Sequence, residues 1–94
     1  MIKVKQTTEE DPLSFVVTVE EGSDQSTYQV TMSQASYQRL TEGQVKASEC
    51  IRAAFKFLLE REPREAILKR FDITLISHYF PDFEQKLPRY LESL

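Results

Sequence analysis

The side chains able to do chemistry in this chain are few and scattered. There is one histidine, His78, and one cysteine, Cys50. A histidine acting as a general base needs an orienting carboxylate or a nucleophile within hydrogen-bond reach. On a helix, the neighbours of His78 at three and four residues are Leu75, Thr74 and Asp82, and only Asp82 could orient it. With Tyr79, Phe80 and Pro81 following, His78 reads as a surface or interface residue. A small enzyme with a site near His78 is the alternative. Cys50 lies among Ile51, Ala53 and Ala54 and reads as a small buried hydrophobe, although a place in a helix's first turn could lower its pKa slightly. One thiol and one imidazole, well separated, cannot assemble a metal cluster within one chain. The run Glu60-Arg61-Glu62-Pro63-Arg64-Glu65 is densely charged, but it is no loop that could wrap an ion, and it reads as a solvated helix junction. With glycine limited to Gly22 and Gly43, a phosphate-cradling loop is not expected either. The expectation is a non-enzyme without catalytic, cofactor or metal residues.

Ninety-four residues make one domain, residues 1–94, with a modest core. Hydrophobic residues at 40% and ten aromatics are a folding composition. The net charge of −3 divides as four Lys/Arg against seven Asp/Glu in residues 1–47, and eight of each in residues 48–94. Neither half is a basic arm or an acidic tail, so nothing steers strongly toward nucleic acid or a membrane. The unpaired cysteine, the lack of an apolar leader-like segment at the start and the lack of a membrane-length apolar run give a cytoplasmic expectation.

The elements that must position these residues follow from periodicity. Ile2 and Val4 alternate with Lys3 and Lys5. Phe15, Val17 and Val19 alternate with Ser14, Thr18 and Glu20, and Tyr28, Val30 and Met32 with Thr27, Gln29 and Thr31. Period-2 alternation of this kind predicts half-buried strands, and the short connections predict an antiparallel meander over residues 1–32. Ser33 predicts the N-cap of a short helix through Leu40. A longer helix follows, from about residue 48 to residue 61. Its polar residues Glu49, Arg52, Lys56 and Glu60 occupy a wedge of only about 80°. A helix so apolar must be covered from more than one side, by the sheet on one flank and by C-terminal segments or a second subunit on the other. Pro63 then opens a helix over Arg64 to Phe71, and Asp72 caps another over Ile73 to Phe80. Phe83, Leu87, Leu91 and Leu94 recur at helical spacing, interrupted by Pro88, which predicts a bent or broken tail. The fold class expected is α+β: a three-stranded antiparallel β-meander (1–32), then four or five helices (33–94) on one face, with the helix at about 48–61 central.

Residues 27–59, TYQVTMSQASYQRLTEGQVKASECIRAAFKFLL, resemble ribbon–helix–helix DNA-binding domains in order: an alternating strand, a capped short helix, a glycine-containing turn and a longer apolar helix. In that family two strands pair across a dimer and lie in the major groove. The resemblance implies that Thr27, Gln29 and Thr31 would face bases, and that Lys46, Ala47 and Ser48 would sit at phosphate. The would-be reading strand, however, has no Arg or Lys, although charge neutralisation supplies most non-specific DNA affinity.

The reading favoured is a non-enzymatic interaction or regulatory domain working as a homodimer or with another protein. The apolar central helix motivates it, together with Phe71, Tyr79, Phe80, Phe83 and Tyr90 near the C-terminus, since aromatics dominate buried interfaces. Those five residues are the candidate interface; completing the monomer's own core is the competing role for them. The strand from Ser26 to Met32, expected at a sheet edge without a guarding charge, is a second route to a dimer.

Overall fold

The computed structural model describes residues 1–92. Three strands follow one another, β1 (Ile2–Thr8), β2 (Leu13–Glu21) and β3 (Asp24–Met32). They pair antiparallel in the order of the chain, with Val4 opposite Val17 and Val17 opposite Tyr28. The alternating pattern sets the faces: Leu13, Phe15, Val17, Val19, Tyr28, Val30 and Met32 are all buried on one side. Lys3, Lys5, Thr27 and Gln29 lie exposed on the other.

The helices cover the apolar face. Helix α1 (Gln34–Thr41) begins where the Ser33 hydroxyl accepts from the Ser36 N–H at 3.0 Å and ends where Glu42 and Gly43 turn left-handed, at φ 55° and 73°. Helix α2 (Ala47–Leu59) is the centre of the molecule; Glu49 Oε1 accepts from the Lys46 N–H at its start. Phe55 faces the sheet, its ring centroid 5.2 Å from Tyr28 and 6.0 Å from Phe71. Phe57 faces the other way, 5.1 Å from Phe83, 5.7 Å from Tyr90 and 5.8 Å from Phe80. Phe57 is 0% and Leu58 6% exposed, so one subunit encloses this helix on both flanks.

Three expectations are corrected. The sheet has four strands and is mixed: Arg70–Asp72 forms β4, parallel to β3, with Val30 opposite Phe71 and Thr31 opposite Asp72. The segment expected as a helix from Arg64 to Phe71 makes only a 3₁₀ turn over Arg64–Ala66 before Ile67 extends, at φ −81° and ψ 132°. The reason lies in what holds the turn. The Tyr28 hydroxyl donates to the Arg64 carbonyl at 2.6 Å, and the Arg64 guanidinium donates to Ser26 Oγ at 2.6 Å and pairs with Asp24 at 3.2 Å. Anchored to β3, the chain continues as a strand, with Gln29 N–H bonded to the Lys69 carbonyl and Ile73 N–H to the Thr31 carbonyl. The stretch Gln29–Thr31 of β3 is therefore paired on both sides, and β1 and β4 form the sheet's edges.

The third correction concerns the tail. Helix α3 (Thr74–Tyr79) is followed by α4 (Phe83–Glu92), which runs through Pro88 without a break. Pro88 is exposed, while Phe83 and Leu87 are fully buried against the core. Burial of that apolar stripe outweighs the one backbone hydrogen bond a helical proline removes. Leu94, expected on the same stripe, lies outside the described residues.

Candidate functional site

The groups with potential chemistry are kept apart. Cys50 is fully buried, and burial pushes its thiol up to about 12, so the thiolate that a nucleophile or metal ligand requires is not formed near neutral pH. His78 is exposed on α3, its ring edge-on to Tyr79. Asp82, the one helical neighbour that could orient it, pairs with Lys86 at 3.0 Å and with Arg61 at 3.9 Å, and the hydrogen bond from Lys86 holds its pKa below the usual value. Among the described residues no group of three or more His, Cys, Asp or Glu side chains is arranged to hold a metal. Among the described residues no helix is long and apolar enough to cross a membrane.

The five candidate interface aromatics separate. Phe71 and Phe83 are buried in the core, whereas Phe80 and Tyr90 are half-buried. The Tyr90 hydroxyl donates to Glu60 at 2.7 Å, and Arg61 lies 3.6 Å above the Phe57 ring between them, so this corner ties α2 to α4. Tyr79 alone stands out, at 63% exposure.

Tyr79 marks the rim of a groove of about 220 Å³ where the sheet ends. Buried Leu58, Ile67, Phe71 and Ile76 line it together with half-buried Phe80, Leu75 and Glu62 and exposed Ala66, and Leu68, like Tyr79, is an exposed lining residue. Leu68 is 53% exposed. The groove is smaller than the 300–1,000 Å³ or so typical of drug-sized ligand sites, and among the described residues Glu62 is the one carboxylate lining it. Sequence periodicity marked Ile67, Phe71, Tyr79 and Phe80 but gave no sign of Leu68, whose exposure accompanies the extended segment that replaces the expected helix.

Phe71 of β4, the last strand in the sheet order, lines the groove. Lys69, Phe71 and Ile73 direct their main-chain groups toward β3, so in a parallel ladder Arg70 and Asp72 direct theirs outward. Arg70 is exposed on the open sheet face and makes no ion pair among the described residues. Asp72 Oδ1 accepts from the Thr31 hydroxyl at 2.6 Å, and its Oδ2 accepts from the Thr74 hydroxyl and N–H at 2.8 and 3.1 Å.

The residues implied by the ribbon–helix–helix resemblance divide between two places. Thr27 and Gln29 are exposed and Thr31 half-exposed on the open face of β3, and Lys46 and Ser48 lie at the start of α2. In that family the reading strand pairs across a dimer; here β3 is flanked by β2 and, at Gln29–Thr31, by β4 of its own chain. No family model, curated protein or solved structure matches the chain.

Proposed function

We propose that the chain is a non-enzymatic protein-interaction domain, cytoplasmic in setting, that makes its contact where β4 and α3 leave the groove open. The observation that carries this reading is the pair Leu68 and Tyr79. They are large apolar side chains exposed on the rim of an apolar groove, beside an unpaired strand edge. An exposed apolar cluster rimmed by polar residues marks an interaction surface more often than a catalytic one, and aromatic anchors dominate binding energy. The enclosure of α2 within one subunit supports a contact at this end of the sheet rather than on that helix. The test is a photo-crosslinking side chain placed at Leu68 in the living cell, with the same side chain at Thr27 on the open sheet face as the control. A discrete adduct from position 68 that position 27 lacks is the expected result. Equal or absent adducts at the two positions would sink the reading.

A further inference from the structure

The two edges of the sheet are guarded differently. On β1 the outward side chains Lys3 and Lys5 stand two apart on one face. A second β1 laid antiparallel about Val4 would bring lysine against lysine, the repulsion by which edges avoid self-association. On β4 the corresponding residues are Arg70 and Asp72, of opposite sign.

We propose that the partner of the groove is a second copy of this chain, joined β4 to β4, antiparallel about a two-fold axis at Phe71. The proposal rests on the interaction reading for its choice of surface and adds the identity and register of the partner. In this register Arg70 of each copy lies opposite Asp72 of the partner subunit, on the open sheet face, twice by symmetry. The main-chain groups of Arg70 and Asp72 face away from β3, so the opposed residues form the hydrogen-bonded pairs of an antiparallel ladder. The two Phe71 residues form the close, non-bonded pair between them. Asp72 receives three hydrogen bonds, from Thr31 and Thr74, and a carboxylate accepts about four, which leaves room for a guanidinium. Beneath the ladder, on the helix side, Leu68 and Tyr79 of each copy come together over the grooves and lose water. The sheet then continues through eight strands, and neither β4 remains an edge.

A ladder three residues long is a small interface, so the dimer is weak, with a dissociation constant on the order of 100 μM. Sedimentation velocity from about 10 μM to about 1 mM reads it in that range. Arg70→Glu sets two carboxylates against each other at both pairs, and Asp72→Lys sets two cations against each other. Each variant alone is expected to dissociate about tenfold more readily or worse. Mixed in equal amounts they form a heterodimer in which the new glutamate faces the new lysine and Asp72 of one chain faces Arg70 of the other. Association then returns to within about threefold of the unaltered chain. Asp72→Lys also gives up the bonds to Thr31 and Thr74, so the unaltered protein supplies a second measurement. Exchange of the Arg70 and Asp72 amides should slow as concentration rises, while that of the β1 edge stays constant.

A chain that remains monomeric at about 1 mM overturns the self-pairing. A dimer indifferent to both charge variants overturns the register. In either case a discrete adduct from position 68 that position 27 lacks leaves the interaction reading standing, and the absence of such an adduct removes that reading as well.

Discussion

Replacing Phe57 with leucine keeps most of the apolar volume at the centre of the molecule and removes only what the ring does. In the folded chain that ring meets Phe83, Tyr90 and Phe80 at 5.1–5.8 Å, in edge-to-face arrangements with interplanar angles of 65–80°, and carries Arg61 at 3.6 Å on its face. Taken at the low end of measured values, three aromatic pairs and one partly exposed cation–π contact come to roughly 2 kcal/mol. Phe57→Ala adds the cavity and should lose about 3–5 kcal/mol, much of the total stability of roughly 5–14 kcal/mol expected for this chain length. Urea denaturation followed by far-ultraviolet dichroism measures both. With a slope of about 1 kcal/mol per molar, the midpoint should fall by about 2 M for leucine and by about 3 M or more for alanine. Phe55→Leu is the internal comparison: it breaks the contacts with Tyr28 and Phe71 on the sheet side and should lose about half as much as Phe57→Leu. The Phe57 variants should not change the association measured for the unaltered chain. A shift below about 0.5 M for Phe57→Ala would refute the enclosure of α2. So would a Phe57→Leu protein that stays folded and loses a dimer, because the partner would then be what covers the helix.

Arg64→Ala should destabilise by about 1–3 kcal/mol, since it leaves Ser26 and Asp24 without the guanidinium, and Arg64→Lys should not restore the loss because a single ammonium cannot reach both; thermal unfolding decides. Cys50 should resist disulfide-exchange reagents at pH 8 at any rate faster than unfolding, and rapid labelling of the native protein would contradict its burial. The same thiol gives alkaline stability a sign. Its folded pKa of about 12 lies above the unfolded value of 9.0, so its contribution is complete below about pH 9. Stability should then decline by up to about 1.4 kcal/mol per pH unit toward pH 12, and Cys50→Ala should flatten that slope. Burial raises Tyr28 above 10.0, a shift of the same sign that steepens the fall in the unaltered chain. Pro88→Ala, at an exposed position inside α4, should raise the urea midpoint by restoring a helical N–H, by about 1 kcal/mol after the gain in unfolded-chain entropy is subtracted. Leu68→Ser and Tyr79→Ser should leave stability within about 0.5 kcal/mol, and a larger loss would assign these side chains to the fold rather than to a contact.

The first three strands were legible because each is long enough to show alternation, and the residues between them are turn formers. The central helix was legible because its polar residues share one narrow wedge. What stayed hidden was β4. Three residues cannot display a period, and Arg70 and Asp72 belong to a charged stretch that equally suits a helix surface. Its partner strand lies about forty residues earlier, and the contacts that place it, Tyr28 with Arg64 and Arg64 with Ser26, are side-chain bonds across that distance. The local pattern Ala66, Ile67, Phe71 supplied a helical spacing, and those long-range bonds overrode it. Pro88 misled in the opposite direction: proline chemistry argues for a break, yet the buried stripe of Phe83 and Leu87 carries the helix past it. The error at β4 carried into the site. With a three-stranded sheet the free edge falls on β3; with β4 in place it falls at Arg70–Asp72, beside Leu68, a residue no periodicity had singled out.

The location of the candidate contact follows from how the chain distributes its aromatic side chains. The sheet takes one flank of α2 through Phe55, and α4 takes the other through Phe57, so Phe71 and Phe83 are consumed by the core and Tyr90 by the corner with Glu60 and Arg61. Side chains able to react follow the same division. Cys50 is sealed inside, and Asp82 is engaged by two cations. Backbone remains where the sheet stops, with apolar cover on one side of it and a matched pair of opposite charges on the other. On the proposed pairing, that edge would receive another strand. Because the order of charges along Arg70-Phe71-Asp72 reverses when the strand is turned end for end, its own copy would complement it in the proposed pairing.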